Sequence, residues 1–118
     1  MKISYIVERI LSNRTKNIKL RKKDLQNDLN KAVNILTHHY RVKRIILFGS
    51  MVNGKINYRS DVDLVVEGLG DQYFKAIGHC WGECKTVIDI KPFEDINADF
   101  RKLVLEKGRV IYESGRSV

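Results

Sequence analysis

The fold of this chain is decided by residues 45–66, which read IILFGSMVNGKINYRSDVDLVV. The stretch opens with an apolar run that ends in Gly49 and Ser50, and a second apolar run, ten residues further on, carries Asp61 and Asp63 at its start. Both runs predict buried strands, because they are too apolar to leave a face in water. Side chains alternate along a strand, so the two acids should project to the same side, with Cα atoms about 6.5–7 Å apart.

The turn and the two acids suit one kind of chemistry. Two carboxylates at this separation can share a pair of hard cations about 3.5–4 Å apart. Gly49 and Ser50 can offer backbone N–H groups and a hydroxyl to a phosphate, especially if a short helix starts there. A phosphate-binding turn beside a two-carboxylate metal site indicates nucleotidyl transfer. The alternative is that Asp61 and Asp63 are solvent-facing acids at the open end of a strand.

The spacing of these residues resembles the signature of the DNA polymerase β-like nucleotidyltransferase superfamily, and the chain looks most like its minimal nucleotidyltransferase (MNT) branch. The resemblance covers residues 42–113 and includes a third acid, Asp89, in a later predicted strand. It implies that Asp61 and Asp63 are ligands of two Mg²⁺ ions. Asp89 would bind the catalytic ion and accept the proton of the attacking hydroxyl. Lys91 lies on the same strand face and offers Asp89 a salt bridge, and both interpretations can hold together.

The phosphate contacts are predicted from the same region. Gly49 and Ser50 should hold the β- and γ-phosphates, since glycine lets a phosphate approach the backbone closely. Members of the family often carry arginines just after the Gly-Ser pair, whereas this chain has Met51 and Asn53 there. That departure leaves the metal ligands in place. Three cations are candidate contacts to the triphosphate of ATP: Lys55, Arg59 and Lys91.

Two amphipathic helices are predicted before the first strand. Apolar residues recur at helical spacing in residues 3–11 and again in residues 24–40, where Asp24 can cap the helix. The first helix is expected to end at Ser12, and the basic stretch 14–23 to be a loop or the first turns of the second helix. The stripe of the second helix predicts core packing. That of the first predicts core packing or a partner-binding face.

Strands and helices alternate in the rest of the chain. The spacing predicts a helix over 72–81, capped by Asp71, and a last helix that begins at Asn97 or Asp99 and ends at Gly108. The apolar face of the first of these helices is expected to consist of Phe74, Ile77 and Trp81. Four strands are predicted at residues 41–48, 61–66, 86–91 and 109–113. This alternation favours an α/β (α+β) fold, a small mixed sheet covered by helices, and the resemblance implies the polymerase β-like nucleotidyltransferase fold.

The length of 118 residues predicts one globular domain. Within it, residues 1–23 are expected to form an N-terminal amphipathic helix and basic extension, and residues 24–118 the nucleotidyltransferase domain. The sequence contains no run of 18 apolar residues and no signal-peptide pattern. We therefore expect no membrane association and a cytoplasmic location.

The net charge of +8 favours an anionic partner such as a nucleotide, a nucleic acid or an acidic protein. Much of the excess falls in residues 14–23, which hold six cations and no acid and which the prediction places outside the active site. This stretch is either a solvated linker or a contact for a nucleic acid or an acidic partner. It lacks the interleaved aromatic residues that bind single strands by base stacking.

Other kinds of site find less support. Cys80 and Cys84, with His79 beside them, lack further ligands at the spacing of a structural zinc site, and reduced cysteines are expected in a cytosolic protein. His38 and His39 are better explained as the end of a helix, where cations complement the helix dipole. The chain has neither a P-loop motif nor the Gly-x-Ser-x-Gly motif of serine hydrolases.

The chain length also limits what the protein can hold. It suffices for the nucleotide-binding half of a transferase, so the acceptor is expected to come from a docking protein or from a second copy. The MNT resemblance implies an antitoxin that transfers AMP from ATP to a tyrosine hydroxyl of a helical HEPN ribonuclease toxin. One alternative is neutralisation of the partner by binding alone, which the residues Met51 and Asn53 make reasonable. Another is nucleotidyl transfer to a nucleic-acid end, which the charge suggests.

Overall fold

The first element of the computed structural model, which describes residues 3–57 and 59–115 with side chains from Ile18 onwards, is one long helix. This helix, α1 (Ile3–His39), runs unbroken for 37 residues and ends in His38 and His39, as predicted. The expected helix end at Ser12, the loop and the cap at Asp24 are wrong. Residues 12–23 contain no glycine or proline and are rich in lysine and arginine, which favour helix. The predicted apolar stripe of residues 3–11 lies outside the described side chains.

A mixed four-stranded sheet forms the centre of the molecule, as the alternation of elements predicts. Its order is β3-β2-β1-β4, in which β1 is antiparallel to both neighbours and β2 is parallel to β3. The strands are β1 (Arg44–Phe48), β2 (Val62–Glu67), β3 (Ile88–Pro92) and β4 (Arg109–Glu113). The connecting helices are α2 (Ser50–Asn53), α3 (Tyr73–Glu83) and α4 (Ala98–Lys107), with a 3₁₀ turn at Gly70–Gln72 before α3.

The two faces of the sheet are covered unequally. Helices α1 and α3 cover one face, and the predicted stripe is confirmed there. Its buried members are Leu25, Leu29, Leu36 and Tyr40, the last just after α1, and Val33 is partly buried against them. Helix α4 covers the other face over a small cluster. That cluster consists of Ile46, Val65, Phe93 and Val104. Since α4 covers only this part of its face, the rest of the face is free to carry polar groups.

Helix α3 buries only part of the predicted apolar face. Ile77 is partly buried against the core, whereas the prediction is wrong for Phe74 and Trp81. Phe74 is 83% exposed and Trp81 is 56% exposed, whereas the smaller Ala76 and Cys80 are fully buried. Small residues one turn apart allow a helix to lie close to a sheet, and the larger apolar side chains are left outside. Asp71 does not cap this helix, since it lies in the preceding 3₁₀ turn.

The ends of α4 follow the prediction. The side chain of Asn97 accepts a hydrogen bond of 2.8 Å from the backbone N–H of Phe100, which is an N-cap. Gly108 ends the helix, and its N–H donates to the carbonyl of Val104 at 2.7 Å. A Cβ atom at Gly108 would lie 2.5 Å from that carbonyl and 2.7 Å from the side chain of Ile46, so only glycine fits.

A buried acid joins α1 to the start of β3. Asp28 is 1% exposed and accepts hydrogen bonds from the Thr86 hydroxyl at 2.5 Å, from the Thr86 N–H at 2.7 Å and from the Lys85 N–H at 3.1 Å. Burial raises the pKa of Asp28, but the bonds from Thr86 and Lys85 outweigh burial and leave the pKa below its ordinary value. The contact fixes where β3 begins.

The length and the apolar character of the helices decide whether any of them could cross a membrane. Within the described ranges, α1 included, no helix combines the length and the apolar character that crossing a bilayer requires.

Candidate active site

Three carboxylates meet where β2 and β3 lie side by side. Asp63 and Asp89 are register partners in these parallel strands, and neighbouring strands are about 4.8 Å apart. Asp61 comes just before β2, two residues ahead of Asp63, so it projects toward the same face. Asp63 also pairs with Phe48 of β1, which packs against the α4 cluster. The predicted acids therefore share the sheet face that α4 leaves partly open.

The pKa of Asp63 reflects its burial and the charges of its neighbours. Burial raises its pKa, and the neighbouring carboxylates of Asp89 and Asp61 raise it further, while Lys91 acts in the opposite direction. A cluster of like charges on a partly buried surface favours a bound cation, which would relieve the repulsion.

Two side chains of the protein itself supply positive charge to this cluster. Lys91 forms the predicted ion pair with Asp89, with 2.5 Å between Nζ and Oδ2. Arg21 forms a second ion pair, with 3.2 Å between its Nη2 and Oδ1 of Asp61. The sequence prediction placed the basic stretch 14–23 outside the site, and for Arg21 this is wrong. No local pattern indicates the contact, because Arg21 and Asp61 are 40 residues apart and meet only where α1 passes the start of β2.

Gly49 holds the turn between β1 and α2 against the acids. Its φ of 81° and ψ of −149° lie in a region that glycine adopts easily and other residues do not. A Cβ atom at this position would lie 2.4 Å from Oδ2 of Asp63. The prediction explained this glycine by the approach of a phosphate. The structure adds a second reason, which is that the Asp63 carboxylate packs directly on the backbone of Gly49.

The turn continues into the short helix α2, which begins at Ser50, the circumstance that the sequence analysis named as favourable for phosphate binding. The carbonyl of Gly49 accepts the N–H groups of Val52 and Asn53 at 3.0 and 3.2 Å. The first N–H groups of a helix have no partner within it, so those of this turn point away from the helix. Ser50 is half-buried beside them. The arrangement agrees with the predicted phosphate-binding role of both residues, which stays a prediction.

The three predicted triphosphate cations lie in different surroundings. Lys91 is in the carboxylate cluster, whereas Lys55 and Arg59 are exposed in the loop between α2 and β2. A cavity of about 330 Å³ opens beside the turn and has a further cation, Lys107 from the end of α4, in its lining. The other lining residues are Phe48, Gly49, Val52 and Asn53. The sequence analysis missed Lys107, because its distance from Gly49 along the chain hides that the two share a cavity.

The fit of Mg²⁺ to the acids depends on their orientation. Carboxylate oxygens are the ligands that Mg²⁺ prefers, and Asp61, Asp63 and Asp89 provide three such groups. In the described part of the chain, no three acidic, histidine or cysteine side chains converge as a ready ligand set. The donor set fits Mg²⁺ by its chemistry, since the ion pairs with Arg21 and Lys91 use only one carboxylate oxygen of Asp61 and of Asp89 and leave the other.

The cysteines lie away from these acids. Cys80 and Cys84 are free thiols, and the Cys84 thiol lies 3.7 Å from the carbonyl of Asp28. Burial, assisted by the other thiol, raises the pKa of Cys80 to about 12, and burial and the Asp28 carboxylate raise that of Cys84 to about 11. His79 hydrogen-bonds the hydroxyl of Tyr40 at 3.2 Å. These surroundings favour neutral thiols over zinc thiolates.

The family of the chain follows from comparison with known proteins. A family model described as "Polymerase beta, Nucleotidyltransferase" matches residues 30–117. The chain belongs to this family. The match contains the three acids and the Gly-Ser turn, and it leaves out most of α1, including Arg21. The resemblance predicted from the spacing of Gly49, Ser50, Asp61 and Asp63 is thereby confirmed, and the chain is a nucleotidyltransferase.

A curated relative is close enough in sequence to be informative. The Methanocaldococcus jannaschii protein named "Putative protein adenylyltransferase MJ0604" is 32% identical to the nucleotidyltransferase, and the match covers 68% of this chain and 90% of the relative. Similarity at this level over most of both chains extends the family assignment beyond the motif.

Two solved structures share the fold. One is described as a toxin–antitoxin with AMP-PNP; its TM-score is 0.59 at 16% identity, covering 75% of this chain and 73% of that one. The other is described as a mutant of the toxin–antitoxin MntA–HpeT; its TM-score is 0.58 at 18% identity, covering 73% of this chain and 72% of that one. Together with the family match, these likenesses confirm the predicted polymerase β-like fold.

Proposed function

We propose that this nucleotidyltransferase is a Mg²⁺-dependent protein adenylyltransferase and the antitoxin of a toxin–antitoxin pair. It would transfer AMP from ATP to a tyrosine hydroxyl of a helical HEPN-type ribonuclease toxin. The observation that carries the proposal is the meeting of Asp61, Asp63 and Asp89 on one sheet face, against the Gly49 turn. The name of the M. jannaschii relative supports a protein acceptor. The descriptions of the two solved structures support a toxin as partner.

The proposed reaction joins the phenolic oxygen to the α-phosphorus of ATP. The bond between the α-phosphorus and the oxygen that bridges to the β-phosphate breaks, and pyrophosphate leaves. Negative charge develops on the entering oxygen, around the phosphorus and on the leaving group, and two Mg²⁺ ions neutralise charge at these three places when bound. Asp61 and Asp63 would hold both ions, and Asp89 would hold the ion on the side of the acceptor.

The proton of the acceptor is assigned to Asp89. Its carboxylate lies at the edge strand β3, where an acceptor can approach from solvent, and it can take the phenolic proton as the new P–O bond forms. Lys91 pairs with Asp89 in the structure. In the proposal, Lys91 turns toward the triphosphate when ATP binds, which would release Asp89 for this role.

The Gly-Ser turn would hold the leaving group. Gly49 and Ser50 would bind the β- and γ-phosphates through backbone N–H groups and the hydroxyl, with Lys55, Arg59, Lys91 and Lys107 as the cations that can reach the triphosphate. Held in this way, the α-phosphate would lie between the turn and the acids.

The test uses the co-encoded helical protein as acceptor. It is incubated with ATP labelled in the α-phosphate, Mg²⁺ and the nucleotidyltransferase, and we expect label to appear on that protein together with an equal amount of pyrophosphate. The variant with both Asp61→Asn and Asp63→Asn should give no label. A matched control carries Asp71→Asn and Asp95→Asn, which removes the same charge from two exposed positions outside the site and should label at the rate of the wild type.

Three results would contradict the proposal. Absence of label with the wild type, under conditions where the two proteins bind, would count against transfer to protein. Full neutralisation of the toxin by the Asp61→Asn, Asp63→Asn variant would indicate neutralisation by binding alone. Extension of an RNA or DNA oligomer in place of labelled protein would indicate a nucleic-acid acceptor.

A further inference from the structure

We infer that Arg21 is a positioning residue for the metal site, and that it holds Asp61 through one carboxylate oxygen while the other is left for a metal ion. The inference rests on the proposed role of Asp61 as a Mg²⁺ ligand. It adds a residue of α1 that lies outside the family match of residues 30–117. Arg21 would touch neither the substrate nor the ions.

The guanidinium group of Arg21 contacts two groups, the backbone carbonyl of Ser60 and the carboxylate of Asp61. Its Nε and Nη2 donate to the backbone carbonyl of Ser60 at 3.0 and 2.6 Å, and Nη2 also reaches Oδ1 of Asp61 at 3.2 Å. The two bonds to one carbonyl fix the peptide that precedes Asp61. The bond to Oδ1 fixes the carboxylate and leaves Oδ2 for a metal ion.

The loop on the other side of this contact is also held. Ser60 is 7% exposed, and its hydroxyl accepts the N–H of Asn57 at 2.9 Å. The carbonyl and the hydroxyl of Ser60 thus tie the loop to α1 and to itself, directly before Asp61. A carboxylate whose own backbone is held at this point loses little freedom when it binds a metal.

Helix α1 fixes the backbone position from which the guanidinium group of Arg21 extends. Leu25, one turn after Arg21 on the same helix, is fully buried in the core. The Cα of Arg21 is therefore set by the packing of α1, while its neighbours Lys22 and Lys23 face solvent. A guanidinium group presents its donors in a rigid plane and can bind two acceptors at once, which the point charge of lysine does less well.

Stability alone does not explain this arrangement. The side chains of Arg21 and Asp61 are 24% and 42% exposed, and ion pairs with that degree of exposure contribute little to folding. In contrast, removal of a group that orients a metal ligand by hydrogen bonding to it commonly lowers metal affinity or activity by about 10–100-fold. A purely structural role and a positioning role therefore predict different results.

The experiment measures metal binding directly. Binding of Mn²⁺ in the presence of α,β-methylene-ATP, which resists attack at the α-phosphorus, is followed by the electron paramagnetic resonance of free Mn²⁺. We expect Arg21→Ala to weaken Mn²⁺ binding by about 10-fold or more, and Arg21→Lys to give an intermediate value. Lys22→Ala, which removes the same charge from the adjacent exposed position, should match the wild type, and thermal unfolding should differ little among the four proteins.

The outcomes separate this inference from the proposed metal site. Failure of the wild type to bind Mn²⁺ would refute both. Binding by the wild type, with Arg21→Ala within two-fold of it or with Lys22→Ala weakened equally, would refute the role of Arg21 alone. If Arg21→Ala does not fold, the comparison rests on Arg21→Lys and Arg21→Gln: weakened binding in both supports the role, and wild-type binding in both overturns it.

Discussion

At the scale of single residues, the candidate site depends on close packing between a glycine and an acid. Gly49 is needed for its backbone angles and because the carboxylate of Asp63 fills the volume of a missing side chain. The turn proposed to bind phosphate and the proposed metal ligand Asp63 are therefore in direct contact. A change at Gly49 should act on the chemistry through Asp63 as well as through the backbone.

Substitution of Gly49 by alanine should reduce AMP transfer sharply. The new Cβ would collide with Oδ2 of Asp63 at 2.4 Å, and the displaced carboxylate would miss the metal. A displacement of about 1 Å in a catalytic group lowers the rate by about 100-fold. The control is Gly54→Ala, where φ is 77° but nothing lies within 4 Å of an added Cβ. We expect it to cost about 1–2 kcal/mol of stability and to keep activity; equal loss of activity in the two variants would contradict the coupling.

At the scale of elements, β3 is held in place by side chains from helices. Asp28 of α1 ties down the residues before β3. On the outer edge of the strand, the Trp81 indole N–H donates to the carbonyl of Ile88 at 2.7 Å, and the Tyr73 hydroxyl donates to that of Ile90. Asp89 lies between these two anchored carbonyls. Its alignment with Asp63 thus depends on α1 and α3, which lie on the opposite face of the sheet.

Substitution of Asp28 by alanine should test this anchoring. Three hydrogen-bond donors of Lys85 and Thr86 would lose a charged acceptor. We therefore expect the free energy of unfolding to fall by about 2–4 kcal/mol, and the rate of AMP transfer to fall as well. Asp24→Ala, one turn earlier and partly exposed, is the matched control and should change both little. Equal stability of the two variants would show that the contact does not hold β3.

The loss of stability caused by Asp28→Ala should depend on pH. The pKa of Asp28 is lowered in the folded protein, so its stabilising contribution is complete above the pKa of the unfolded chain and is lost as pH falls through the folded value. The difference in free energy of unfolding between the wild type and Asp28→Ala should therefore be constant between pH 7 and about pH 5, and shrink below about pH 4. Urea unfolding at pH 7, 5 and 3 measures it, and a difference that grows toward acid pH would contradict this assignment.

At the scale of the whole molecule, the long helix dominates the shape. The radius of gyration is 17.2 Å and the principal extents are 61, 30 and 29 Å. A compact chain of this length has a radius of gyration of about 13–14 Å. Helix α1 explains the difference, because its 37 residues span about 55 Å and its described buried residues begin only at Leu25.

Removal of residues 1–18 should therefore make the molecule rounder without unfolding it. We expect the radius of gyration from small-angle X-ray scattering to fall from about 17 Å to about 13–14 Å, since the core residues and Arg21 are retained. The unfolding midpoint should change by a few degrees at most. A full-length value near 14 Å would mean that the first half of α1 folds back onto the domain.

Local pattern was enough to predict much of the site. Asp61 and Asp63 share a face because side chains alternate along any strand, and Asp89 joins them because a third buried strand carries a single acid. The caps of α4 at Asn97 and Gly108 also follow from local backbone chemistry.

What the sequence by itself determined is the four strands, the helices α3 and α4, the acids at the start of β2 and within β3, and the family. Only the tertiary structure decided that α3 buries Ala76 and Cys80, and that Arg21 and Asp28 reach Asp61 and Thr86. The reason is that the periodicity of apolar residues indicates which side of an element is apolar but contains no information on where two distant elements cross. The crossing of α1 over the sheet brings together residues 40 and 58 positions apart, and no local preference encodes that meeting.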